Sequence, residues 1–462
     1  MITTEGMIAP EQDDAANIAA PPDAAWRTPT PTPSLPEVFR SIPVPRGGPV
    51  WRRLFAFVGP GYLVAVGYMD PGNWATDIAG GAAFNYKLLS IVLISSLMAM
   101  FLQALSAKLG IVSGRDLAQA CRDSYSRKAT ILLWISAEIA IVACDISEVI
   151  GAAIALNLLF GLNLVAGVII TAADVLLVLA LQSRGFRWIE TFVIALIATM
   201  MGIFGFEVFL SRPDWNGVAI GFLPVAGIAR NHEMLYISLG ILGATVMPHN
   251  LYLHSSIVQT RAFGKKAGEL KDAVRMAYAD STIALTLAFF VNAAILVLAA
   301  AVFYRSGHHE VAEINQAYKL LTPLVGASVA TPLFAIALLA SGQNSTLTGT
   351  LAGQIVLEGF LHVKIKPWLR RLISRSLAIV PAVFAVAIAG HEGLGRLMIL
   401  SQVVLSAQLS FAVVPLIQFT SDKSKMGKFV NGRLTQAIGW GMALCIAGLN
   451  LYLILTTSFS GS

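Results

Sequence analysis

Runs of roughly 20 predominantly apolar residues, the length that crosses a ~30 Å hydrocarbon core, recur along this chain from about residue 53 to its last ten residues. Nothing constrains the fold more. Backbone in hydrocarbon must satisfy its own hydrogen bonds, so such runs fold as helices or as strands of a closed barrel. These runs are continuous rather than alternating, which argues for helices. Composition agrees. The chain is 13% charged, where a soluble globular domain carries about 25%, and its mean hydropathy is +0.72.

An all-α membrane protein with eleven transmembrane helices is therefore expected, the spans lying near 53–80, 87–112, 129–158, 163–183, 187–211, 233–260, 277–304, 329–360, 372–390, 395–418 and 434–457. Residues 1–50, acidic near their start and rich in Ala, Pro and Thr, read as a disordered cytosolic tail without a secretory signal. Residues 51–462 read as the transmembrane domain. Lysine and arginine divide 25 to 6 between alternate loops, which places the N-terminus in the cytoplasm and the C-terminus outside. A bacterial inner (cell) membrane is the expected location. The cysteines Cys121, Cys144 and Cys445 lack metal-binding or redox spacing and read as packing residues.

Two spans contain what an uninterrupted helix should not. Asp70-Pro71-Gly72-Asn73 interrupts span 1, and Met247-Pro248-His249-Asn250 interrupts span 6. Proline removes a backbone donor and clashes with the preceding turn. Irregular backbone at membrane depth is tolerated only when buried in protein or lining a cavity. The breaks fall in spans 1 and 6, and a five-span unit repeated once gives two halves of opposite topology. Matched breaks in such halves point to a transporter's central site.

The residues at the breaks suggest a cation. Asp70 in mid-span is costly unless it serves an ion or proton. Asn73 adds a neutral oxygen, and carbonyls freed before each proline add more. Met247 brings a soft thioether, of little use to Mg²⁺ or Ca²⁺, which favours manganese, iron, cobalt or cadmium. His249 is of a residue type that ordinarily titrates near neutrality, which makes it a candidate to carry protons. Glu138, Asp145 and Glu148 fall near one face of span 3, and three carboxylates there suggest a proton pathway or a structural ion-pair network. Arg370 and Arg371, at the start of span 9, are candidate partners. Asp174 stays unassigned.

On these residues the chain resembles the Nramp (natural resistance-associated macrophage protein) family of proton-coupled divalent metal transporters. The likeness rests on Asp70-Pro71-Gly72-Asn73-Trp74-Ala75-Thr76 and on Ala244-Thr245-Val246-Met247-Pro248-His249. The span 3 acids, Trp368-Leu369-Arg370-Arg371 and Ser401-Gln402 fit as well. The resemblance implies a LeuT-like inverted repeat, spans 1–5 and 6–10, with an eleventh span. It implies metal ligation by Asp70, Asn73 and Met247, by the carbonyls of Ala244 and Gly67, and by Gln402 when the outer side closes. It implies proton handling by Asp70, Glu148, Asp145 and His249, with Arg370 and Arg371 completing the charge network and Glu138 peripheral. The cargo would be Mn²⁺, with Fe²⁺, Co²⁺ and Cd²⁺ also taken. Metal and protons are then substrates within a lipid bilayer. No resident cofactor, nucleic-acid partner or enzymatic reaction is expected, and a monomer is consistent with this reading. The alternatives are a sodium-coupled carrier of an organic solute such as an amino acid, and a carrier of Mg²⁺.

Overall fold

A computed structural model describes residues 26–27, 33–45, 49–171, 185–311, 313–325, 329–362, scattered positions between 369 and 384, and 393–460. In chain order its elements are β1 (Ile42–Pro43), α1 (Val50–Phe57), α2 (Pro60–Gly67), α3 (Pro71–Phe84), α4 (Leu89–Ser113), α5 (Leu117–Ser124), α6 (Arg127–Phe160), α7 (Leu164–Thr171), α8 (Phe186–Ser211), α9 (Trp215–Gly221), α10 (His232–Val246), α11 (Pro248–Ile257), β2 (Arg261–Ala262), α12 (Ala267–Ala299), α13 (Ile314–Val325), α14 (Ala330–Leu361), α15 (Leu394–Thr420), α16 (Lys423–Met426) and α17 (Arg433–Ser460). Among the described residues, seven helical stretches are long and apolar enough to cross a membrane. The expected spans 4 and 9 lie largely outside the described residues.

Both sequence breaks are breaks in the structure. Pro71 opens α3 at a first-turn position, where a missing N–H costs nothing. Asp70 caps that helix, its Oδ1 accepting from the Asn73 N–H at 2.7 Å. Four residues before each proline, the carbonyls of Gly67 and Ala244 lose their helical donor. The carbonyls of Tyr68 and Met69 accept instead from Asn292 Nδ2 at 2.8 Å and Ser341 Oγ at 2.6 Å. The second break is tighter. Met247 alone separates α10 from α11, at φ 34° and ψ 102°. The Tyr68 hydroxyl donates to the Val246 carbonyl at 3.4 Å and so ties one break to the other.

Packing holds the broken helices between long unbroken ones. α12 runs against α2, α3 and α4, α10 lies along α15, and α6 lies along α14. At Gly67 the approach leaves no room for a side chain, since a Cβ there would collide with Asn250 Nδ2 and stand 3.2 Å from Met247 Sδ.

Polar contacts fix the end of the bundle where the N-terminal segment lies. The buried Arg261 pairs with Glu190 at 2.7 Å and donates to the Phe57 and Val58 carbonyls at 2.9 and 2.7 Å. Asp280 accepts from the Gly59 and Gly61 N–H groups at 3.2 and 2.7 Å, anchoring the start of α2. Residues 33–45 lie across this end. Ser34 donates to Asp116 at 2.5 Å, and β1 pairs in parallel with β2. Trp26 is buried under the Arg115 guanidinium, 4.5 Å from its ring centroid.

Two outcomes follow from this packing. A methyl group on Gly67 must push Asn250 and Met247 aside, so Gly67→Ala should lower stability by about 1–3 kcal/mol; unchanged thermal unfolding in detergent would mean that Asn250 turns away freely. Asp116 caps α5 outside the spans, and burial lifts its carboxyl to about 6 against the bonds from Ser34 and the Gln119 N–H. A raised carboxyl favours the fold most below its ordinary value of 3.8, and that advantage fades as pH rises through about 6. Asp116→Asn keeps an acceptor and has no charge to bury. Thermal unfolding of this variant should fall less between about pH 4 and about pH 6 than that of the parent chain.

Candidate metal site

The two breaks meet α6 at mid-bundle. Cys144, on α6, lies between two carboxylates, its Sγ 3.7 Å from Asp70 Oδ2 and 3.7 Å from Glu148 Oε1. The same Cys144 shares a small apolar cluster with Met247, Ala140, Ala143 and Leu405. The carboxylate of the first break and the thioether of the second are thus brought together across one residue of α6. Asn73 is buried on the first turn of α3, and its Oδ1 has no hydrogen-bond partner.

Gln402 completes this wall from α15. A Cβ on Gly72 would collide with its amide, so the glycine lets Gln402 lie directly against the α3 break. Its Nε2 donates to Ser147 at 3.0 Å and Ser401 at 3.1 Å, while its Oε1 is buried without a partner. Among the described residues no group of three or more His, Cys, Asp or Glu is arranged to hold a metal ion. A cation here would draw instead on one carboxylate, amide oxygens, backbone carbonyls and sulfur.

The expected face of acids divides in two. Asp145 and Glu148 are buried and converge on Gly349 of α14, where a Cβ would stand 3.2 Å from Asp145 Oδ1 and 3.4 Å from Glu148 Oε1. Thr346 donates to Glu148 Oε2 at 3.3 Å. Glu138 is half-buried, about two turns before Asp145 on α6, and accepts from Trp134 Nε1 at 3.2 Å. His249 is buried at the start of α11 with no partner at Nδ1. Arg370, Arg371 and Asp174 lie outside the described residues.

Several contacts around the breaks are absent from the sequence reading. Cys144 packs in an apolar cluster, as a packing residue would, and its Sγ also touches both carboxylates, its place four residues before Glu148 putting it on the acid face. His254 Nδ1 lies 3.0 Å from Gln103 Oε1, and Gln103 donates to the Tyr68 hydroxyl at 2.6 Å, a chain that joins α11, α4 and the first break. Asp77, two turns beyond Asp70 on α3, is buried with no partner at Oδ2. The step of seven from Asp70 was the available signal.

A cavity of about 870 Å³ opens at the opposite end from residues 33–45. Ala79 and Ala83 of α3, Ile237 of α10 and Ile399 of α15 border it, with Glu233 and Glu310 among its polar residues.

Comparison with known proteins identifies the family and the fold. Residues 61–456 match the family model described as natural resistance-associated macrophage protein-like. The chain is 58% identical over 433 residues to the divalent metal cation transporter MntH of Listeria monocytogenes serotype 4a (strain HCC23), covering 94% of this chain and 97% of that one. It is 57% identical over 435 residues to MntH of Bradyrhizobium diazoefficiens, with the same shares covered. The manganese transporter of Eremococcus coleocola, solved with an aromatic bis-isothiourea substituted compound, superposes with a TM-score of 0.84 at 44% identity, over 91% of this chain and 90% of that one. Mhp1, a nucleobase-cation-symport-1 family transporter, shares the fold at 16% identity, with a TM-score of 0.59 over 86% of this chain and 91% of that one. The chain belongs to the natural resistance-associated macrophage protein (Nramp) family and has its LeuT-like, all-helical fold.

Proposed function

We propose that this chain imports divalent transition-metal ions, Mn²⁺ foremost and Fe²⁺, Co²⁺ and Cd²⁺ besides, together with protons and by alternating access. One observation carries the reading: Asp70 and Met247, from two separate helix breaks, converge on Cys144. Asp70, Asn73 and Met247 act as ligands, the Gly67 and Ala244 carbonyls add oxygens, and Gln402 closes on the ion from α15. The thioether gives a soft ion an advantage that Mg²⁺ cannot use. The names of the relatives support a divalent cation as cargo.

The site also has a place to send a proton. A carboxylate binds metal in its deprotonated form, so Asp70 releases its proton as the ion arrives. Glu148 stands one thiol away from Asp70, and Asp145 stands beside Glu148 against Gly349. These residues pass the proton on with His249, Glu138 has a peripheral part, and Arg370 and Arg371 are the proposed partners of the acids. The large cavity is the entry path from outside. The end held by Arg261 and residues 33–45 is the closed cytoplasmic face of a cell-membrane protein whose C-terminus lies outside. A membrane potential negative inside favours entry by roughly 2.3 kcal/mol per charge per 100 mV.

The test is Mn²⁺ uptake into proteoliposomes under an inward proton gradient with excess Mg²⁺. The unmodified chain should take up Mn²⁺ despite Mg²⁺, and Asp70→Ala should fall to the level of empty vesicles. Met247→Ala should shift the Mn²⁺/Mg²⁺ preference by about tenfold, or 1.4 kcal/mol. Equal transport of Mg²⁺ by the unmodified chain would overturn the cargo assignment. Uptake indifferent to Asp70→Ala would overturn the site.

A further inference from the structure

We propose that Cys144 is a second sulfur donor at this site, taken up by soft late divalent ions such as Cd²⁺ and Zn²⁺ and left uncoordinated by Mn²⁺. The inference rests on the metal-site reading above and extends it from one sulfur to two. Three features support it.

The first is reach. With a metal–sulfur bond of ~2.3 Å and a metal–oxygen bond of ~2.1 Å, a sulfur and an oxygen 3.7 Å apart subtend about 114° at a shared ion, close to the tetrahedral angle. Cys144 Sγ and Asp70 Oδ2 can therefore close on one cation without backbone movement. The second is an orphan oxygen. Asn73 Oδ1 is 1% exposed as a residue and has no partner, though the N–H of the same residue is spent on capping by Asp70. A buried amide oxygen left unpaired is costly, and a cation held by Asp70 would satisfy it. The third is company. Cys144 and Met247 belong to one small buried cluster, which sets the thiol-bearing and the thioether-bearing residue in the same neighbourhood.

The chemistry separates the ions. Thiolate sulfur favours soft and borderline ions, whereas Mn²⁺ stands at the weak end of the divalent series and prefers carboxylate, carbonyl and water. Binding of a soft ion forms a metal–sulfur bond and breaks the S–H bond. The proton passes to Glu148 Oε1, 3.7 Å from the sulfur, once the Asp70 proton has moved on from Glu148 to Asp145. Mn²⁺ leaves the thiol protonated. Soft ions should therefore bind more tightly and leave more slowly than Mn²⁺.

The experiment titrates purified protein in detergent with Cd²⁺ and, separately, with Mn²⁺. Cys121→Ala and Cys445→Ser are introduced first so that Cys144 is the one remaining thiol. The expected result is an ultraviolet sulfur-to-cadmium charge-transfer band, which a thioether does not give. Cys144→Ser and Cys144→Thr should both abolish the band and weaken Cd²⁺ binding by about tenfold or more, with Mn²⁺ affinity held within about threefold. Two substitutions of different size separate loss of the donor from a packing defect. Protein that binds Mn²⁺ and Cd²⁺ without the band overturns this inference and leaves the metal-site reading standing. Cd²⁺ and Mn²⁺ affinities that fall together in both variants overturn it as well. Protein that binds neither ion overturns both readings.

Discussion

Hydrocarbon offers a backbone no hydrogen-bond partners, and the structure around the two prolines is organised by that constraint. Each proline withdraws one donor, and each break releases carbonyls into the middle of the bundle. Asn292 and Ser341 take two of them, the Tyr68 hydroxyl takes a third, and the N–H of Asn250 takes that of Met247. The carbonyls of Gly67 and Ala244 are the ones whose helical donors the prolines removed. Under the proposed function, those two oxygens are the ones that would serve the cation. Half-helix ends strengthen the effect, because the carbonyl ends of α2 and α10 carry partial negative charge.

The long helices convert this local irregularity into a site. α6 supplies the wall on which both breaks converge, and α15 supplies Gln402 through the space left at Gly72. The ends of the bundle differ in character. One carries a wide cavity with carboxylates among its polar residues, and the other is closed by a buried ion pair and a docked N-terminal segment. Removing one partner of such a pair leaves an uncompensated buried charge, at a cost of about 3–5 kcal/mol. That end is held by contacts that have to be exchanged, rather than merely loosened, for it to part.

Much of this was legible in the sequence because the signals were local. Proline and glycine within apolar runs marked the breaks, Asp70 and Met247 lay beside them, and the carboxylates of α6 showed their helical spacing. What was not legible depends on contacts far apart in the chain. Spacing puts Cys144 on the face of Glu148, but nothing local shows that it also lies against Asp70. Asn292 and Gln103 are polar residues within long, largely apolar helices, and only the fold shows that they answer to Tyr68 at the first break. The role of residues 33–45 was equally hidden. Their composition is that of a free chain, and their partners at Asp116 and Arg261 lie on distant loops.

Met247 holds its sulfur in place with a backbone at φ 34°, a region that side chains other than glycine seldom enter. Conformations of this kind cost of order 1–3 kcal/mol and persist because their surroundings enforce them. Under the proposed function two demands therefore meet at one residue, a chemical one for sulfur and a geometric one for a tight link between half-helices. Alanine answers neither, since it loses the sulfur and keeps the strain. Glycine answers the second alone. Comparing the two at this position would divide the contribution of residue 247 into a part owed to the ion and a part owed to the turn, which no single substitution can do.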